Sequence, residues 1–209
     1  MSQGFTTALR AVFAGAALIA MPALAADAAG FDIDRDFDAE YRPIVQMLQE
    51  KAAHEPKLSA ATLATIRGGN PMTALPAESP AWSERSIAGP KGAPDLRIYI
   101  INAGAKDAGK PAILHTHGGG YVLGNAKNSI AALQKLAAEL DCVIVSVDYR
   151  LAPETPFPGS LEDNYAGLKW LYDNAAELGV DRTRIALMGE SAGGGHAAAL
   201  AIAARDRRE

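Results

Sequence analysis

Residues 112–116, 143–149 and 185–188 are short, largely apolar runs. Runs of this kind suit parallel strands buried on both faces better than strands with one face in water. Between them, residues 130–140 place Ala131, Leu133, Leu136, Ala137 and Leu140 at helical spacing, and residues 161–178 do the same with Tyr165, Leu168, Leu171, Tyr172 and Ala175. Strands alternating with helices predict an α/β fold, a mostly parallel sheet with flanking helices. Upstream, residues 83–87 and 96–101 read as two more strands joined through the Gly89-Pro90-Lys91-Gly92 turn. An Ala-rich helical stretch follows residue 191.

The N-terminal part has a different pattern. Phe37, Tyr41, Ile44, Val45 and Leu48 predict one amphipathic helix over 36–53, with Pro43 near its start. A second helix is expected over 59–66 with Ser59 as its cap. Residues 68–80 hold Gly68-Gly69-Asn70-Pro71 and two further prolines, the composition of a linker. In the first thirty residues, Arg10 precedes an apolar stretch over 11–20 and an A-x-A-like site at Ala23-Leu24-Ala25, the order of a secretory signal peptide. A membrane anchor is the competing reading. Against it, Gly15 and Pro22 interrupt the apolar run, which falls short of the ~20 residues a spanning helix needs. The expected organisation is a signal peptide over 1–25, a helical cap segment and linker over 26–80, and an α/β domain over 81–209. The product is then secreted or periplasmic, with no stable membrane anchor.

At 209 residues, 49% of them hydrophobic, the chain can bury one sizeable core. Its net charge of −4 provides no basic footprint, so nucleic acid is not an expected partner. Cys142 is the single cysteine, which rules out an internal disulfide; at the head of an apolar run it reads as a small hydrophobe. No H-E-x-x-H, cysteine cluster or P-loop is present, so neither metal nor organic cofactor is expected. The pattern assigns no oligomeric state.

Two motifs carry chemistry. Gly189-Glu190-Ser191-Ala192-Gly193 sits between the run 185–188 and the Ala-rich stretch, the strand–turn–helix context of a nucleophile elbow. A serine in that sharp turn projects its hydroxyl, and side chains two residues away on either side would collide with backbone. His117-Gly118-Gly119-Gly120 lies 74 residues upstream, after the run 112–116. Together they supply parts of one acyl-transfer site: Ser191 as catalytic nucleophile, and the N–H groups of Gly119, Gly120 and Ala192 as an oxyanion hole. The alternative for Ser191 is a buried helix cap. His117 is expected to orient the glycine loop; His115 and His54 read as ordinary core or surface histidines. His196, on the same helix as Ser191, is poorly placed to serve as its base, and Asp206 belongs to a charged surface end.

The motifs His117-Gly118-Gly119-Gly120-Tyr121, Asp148-Tyr149-Arg150-Leu151-Ala152-Pro153-Glu154 with Phe157-Pro158, and Gly189-Glu190-Ser191-Ala192-Gly193-Gly194 occur in that order. From about Trp82 onward the chain resembles the hormone-sensitive-lipase-like branch of the α/β-hydrolases, the fold-3 group. The resemblance implies an α/β-hydrolase fold and a hydrolase acting on small-molecule carboxylic esters with short acyl chains. It also implies a cap to which residues 36–66 contribute. Asp148-Tyr149-Arg150 would be structural, holding a loop through Arg150 and Glu154. Many members carry Asp where this chain has Glu190. Their acid and histidine lie well downstream of the nucleophile, and 18 residues follow Ser191 here. The expectation is therefore an N-terminal portion lacking the catalytic Asp and His. Two alternatives stand beside it: a non-catalytic small-molecule-binding protein on the same scaffold, as in a plant hormone receptor the family resembles, and a truncated, inactive product.

Overall fold

The computed structural model describes residues 32–69, 74–104 and 109–208; the expected signal peptide lies outside them. The chain divides into two compact units, Met1–Asn70 and Pro71–Glu209. Among the described residues no helix is long and apolar enough to cross a membrane.

The described residues of the first unit form three helices: α1 (Ile33–Asp36), α2 (Arg42–His54) and α3 (Leu63–Gly68). The single helix expected over 36–53 is split. Asp32 caps α1 by accepting from the N–H groups of Asp34 and Arg35, and Phe37 then turns extended. Pro43 sets the start of α2, because proline fits only the first turn of a helix, where its missing N–H leaves no bond unmade. The next helix begins at Leu63, later than expected, because Ser59 closes the preceding turn: its carbonyl accepts from Thr62 and Leu63.

The second unit is a five-stranded sheet with helices on both faces. Its elements are β1 (Trp82–Ile87), β2 (Leu96–Ile101), β3 (Lys110–Thr116), α4 (Ile130–Leu140), β4 (Val143–Asp148), α5 (Gly159–Asp173), α6 (Ala175–Leu178), β5 (Val180–Gly189) and α7 (Ala192–Arg207). The strand order is β1-β2-β4-β3-β5. Pairing is mixed: β3 runs parallel to both β4 and β5, while β1/β2 and β2/β4 are antiparallel.

The uninterrupted apolar runs have a simple cause. Side chains alternate between faces along a strand, and here each face has its own core. On one face Leu114, Val143, Val145 and Val147 pack with Leu161, Leu171, Leu178 and Leu200. On the other, Ile113 and Ile144 pack with Leu133 and Ala137 of α4. Each large side chain buried this way contributes about 1.5–3 kcal/mol, so the sheet carries the stability against which strained loops are held.

Two elements depart from expectation. The helix expected over 161–178 breaks at Asn174, whose side chain donates to the Trp170 carbonyl at 2.8 Å and ends α5. In β5, Ala112 to Thr116 pair continuously with Ile185 to Gly189, but the ladder shifts between Lys110 and Ala112. The polar stretch from Asp181 to Arg184 thus stands outside the regular register, and the run 185–188 marks the laddered part. Gln134, a buried polar residue of α4, ties down part of the expected linker: it accepts from Ala77 N–H and donates to the carbonyls of Ala77 and Pro80.

Candidate active site

The chain order reverses at β3. From β3 it crosses to β4 on one side, through α4 on one face, and returns to β5 on the other side, through α5 and α6 on the opposite face. Crevices at the carboxyl ends of strands flanking such a reversal are where open α/β sheets bind ligands. Thr116, the last residue of β3, pairs with Gly189, the last of β5. The glycine loop after β3 and the serine turn after β5 therefore emerge side by side.

The serine turn is strained. Ser191 has φ 53° and ψ −120°, a conformation that costs an L-residue on the order of 1–3 kcal/mol. It occupies the N-cap position of α7, yet its side chain makes no capping bond and the residue is exposed. The capping alternative thus lacks the bond that defines it. The flanking glycines answer to sterics. A Cβ on Gly193 would run into the Thr116 carbonyl oxygen and stand 2.7 Å from that of His117, and one on Gly189 would run into the Gly193 backbone and Thr116 Oγ1. That approach is held by Thr116 Oγ1 donating to the Gly193 carbonyl at 2.7 Å.

The glycine loop lies directly against this turn. A Cβ on Gly118 would stand 2.9 Å from the Glu190 carbonyl oxygen and 3.7 Å from Ser191 Cβ. Gly119, at φ 127°, packs against the Leu123 carbonyl with no room for a side chain, and Gly120 follows at φ 60°. Among the described residues the N–H groups of Gly119, Gly120 and Ala192 have no acceptor. Ala192 opens α7, where helix geometry leaves the first N–H groups unpaired and the dipole favours negative charge. Ser191, the glycine loop and Ala192 are brought together; Ser191 has no histidine bonded to its hydroxyl among the described residues.

His117 is buried and locks the loop. Its Nδ1–H donates to the Gly118 carbonyl at 2.8 Å, its ring stacks on Tyr149 at 4.1 Å, and its carbonyl accepts from the Tyr149 hydroxyl at 2.6 Å. Its Nε2 is buried without a partner. Burial lowers its pKa to about 4, partly offset by the Gly118 bond, with His115 and His196 adding to the depression. The folded state therefore holds a neutral ring where the unfolded chain binds a proton. Stability should be full above the ordinary histidine pKa of about 6.5 and fall as pH drops toward 4, by roughly 3 kcal/mol in all. Melting temperatures between pH 4 and 7 check this: the acid-side slope should flatten in His117→Phe, and an unchanged slope would contradict it.

The Asp148-Tyr149-Arg150 segment is tied into the loops around it. Asp148 accepts from the Ala126 N–H, and Arg150 grips Asp163 of α5 with Nε and a terminal nitrogen at 2.9 and 2.7 Å, a partner the sequence reading did not name. His196 is buried edge-on between Tyr121 and Tyr149, with its pKa lowered by burial. His54 and Asp206 are exposed. His115 is a buried, satisfied histidine, as read. The sequence did not reveal its partners: Ser146 Oγ at 2.8 Å from Nδ1, and the Glu190 carboxylate at 2.9 Å from Nε2. Burial is the largest single influence and opposes charge on Glu190, but the His115 bond and charge, a backbone bond and His117 together hold that carboxyl below its usual range. Among the described residues no group of three or more His, Cys, Asp or Glu side chains is arranged to hold a metal ion.

The layered sheet, its reversal at β3 and the serine turn are those of the α/β-hydrolase fold. Residues 113–209 match the family described as alpha/beta hydrolase fold, and the chain has that fold. It is 41% identical over 121 residues to Esterase LipI of Mycobacterium tuberculosis (strain ATCC 25618 / H37Rv), covering 58% of this chain and 38% of that protein. It is 40% identical over 113 residues to an arylesterase of Saccharolobus solfataricus, covering 54% and 36%. The solved structure of a bacterial heroin esterase superposes with a TM-score of 0.71 at 36% identity, covering 83% of this chain and 54% of that one. The chain thus spans less than two fifths of the length of these two sequence relatives.

Proposed function

We propose that the full-length protein hydrolyses short-chain carboxylic esters by acyl transfer through Ser191. One observation carries the reading: an exposed serine, held at positive φ and with a side chain bonded to nothing among the described residues, beside three N–H groups without acceptors. Ser191 Oγ attacks the ester carbonyl and its proton passes to a general base. The carbonyl oxygen, now negative, accepts from the N–H groups of Gly119, Gly120 and Ala192. The intermediate collapses with loss of the alcohol, and water then releases the acid from the acyl-serine. In a serine protease each such donor is worth roughly 3–4 kcal/mol.

His117 cannot be the base: its Nδ1 is committed to Gly118 and its Nε2 is buried. The reading requires a histidine within reach of Ser191 Oγ, from residues outside those described. The named activities of the esterase relatives support an ester as substrate. The full-length protein is expected to turn over p-nitrophenyl acetate and butyrate faster than the palmitate ester. A folded full-length protein that cleaves none of the three would overturn the proposal.

A further inference from the structure

Ser146, His115 and Glu190 come from three different parts of the chain and meet beneath the serine turn. β3 is the strand between β4 and β5, and His115 is in register with Ser146 on β4 and Met188 on β5. From there its ring spans the sheet: Nδ1 meets Ser146 Oγ at 2.8 Å, and Nε2 meets both Glu190 oxygens, at 2.9 and 3.2 Å. His115 and Ser146 are fully buried. An ionised carboxylate only accepts, so Nε2 carries the proton, and Ser146 donates to Nδ1 while the ring is neutral.

Glu190 is pinned at both ends. Its carbonyl accepts from the Gly193 N–H at 2.8 Å, and its carboxylate is held by His115. It immediately precedes Ser191, the residue in the strained conformation, and such strain persists only where the surroundings over-determine it. Buried ionic groups are often no more stabilising than apolar residues of the same volume, so this network calls for a reason other than stability. A bare negative charge beside Ser191 would also oppose the oxyanion. Charge and position thus make opposite demands here.

We propose that Ser146–His115–Glu190 is a clamp that fixes the Ser191 turn, with Glu190 the positioning residue; its effect on turnover rests on the esterase reading above. The full-length protein is compared with Glu190→Gln, Ser146→Ala and the double variant, using p-nitrophenyl acetate kinetics, amide hydrogen exchange at Ala192 and Gly193, and the His115 ring-proton resonance. Glu190→Gln, whose amide oxygen can still accept from His115 but without the charge, is expected to lower kcat by roughly tenfold, with KM little changed. Exchange at Gly193 should quicken by about tenfold on the same grounds, and the ring proton should lose part of its protection. Ser146→Ala, which leaves the elbow sequence untouched, should act in the same direction but less. The double variant should fall short of the product of the two effects. An unchanged or raised kcat in Glu190→Gln, unaltered exchange at Gly193, or purely multiplicative effects would overturn the clamp. If the folded wild type cleaves no ester, the esterase reading fails and the clamp is decided by exchange and the ring resonance alone.

Discussion

Ser191→Ala in the full-length protein is expected to lower ester turnover by roughly 10⁵–10⁶-fold, the scale seen when a serine protease loses its nucleophile. The reason lies in the turn. Removing the hydroxyl deletes the covalent route, while the N–H groups of Gly119, Gly120 and Ala192 remain to stabilise charge, so a small rate above that in water should persist. The fold should be indifferent to the change. Ser191 is exposed and its side chain caps nothing, so stability should stay within about 0.5 kcal/mol of wild type. Kinetics and melting curves on the same samples check both halves: a variant that is inactive because it is unfolded would not support the assignment, and one that keeps wild-type turnover would refute it.

Gly193→Ala is expected to damage both stability and turnover. The added Cβ would run into the Thr116 carbonyl oxygen and come within 2.8 Å of its carbon, both backbone atoms of a central strand that cannot rotate away. Relief requires the start of α7 to back off from β3, which would break the Thr116–Gly193 bond and shift the Ala192 N–H. Overpacking of this kind costs about 3 kcal/mol, a fall in melting temperature of about 6–12 °C for a domain of this size. Gly120→Ala supplies the contrast. A Cβ there meets nothing within 4 Å, so only its φ of 60° opposes the change, at about 1–2 kcal/mol. Equal melting temperatures for the two variants would show that close approach is not what Gly193 provides.

What the sequence made legible was local. The apolar runs over 112–116 and 143–149, with the helix over 130–140, mark their elements because the spacing of their apolar residues follows the faces that are buried. The elbow could be read for the same reason: Gly189, Ser191 and Gly193 sit within five residues and the turn demands them together. What stayed hidden depends on register. Glu190 lies 75 residues from His115, and only the pairing of β3 between β4 and β5 brings His115 between Ser146 and that carboxylate. Arg150 meets Asp163, 13 residues on, because α5 presents that carboxylate to the end of β4. Asn174 broke a helix whose apolar spacing ran on past it, since a short amide competing for a backbone carbonyl leaves no trace in hydrophobic periodicity.

The role of Ser191 is tested most directly by treating the full-length protein with a p-nitrophenyl phosphonate ester and mapping the adduct by mass spectrometry. Trypsin releases residues 185–205 as one peptide, in which Ser191 is the only hydroxyl side chain. A single phosphonyl group on that peptide, formed in step with loss of esterase activity and absent from Ser191→Ala, is the expected result. Loss of activity with that peptide unmodified and the adduct elsewhere would contradict the assignment of Ser191 as nucleophile.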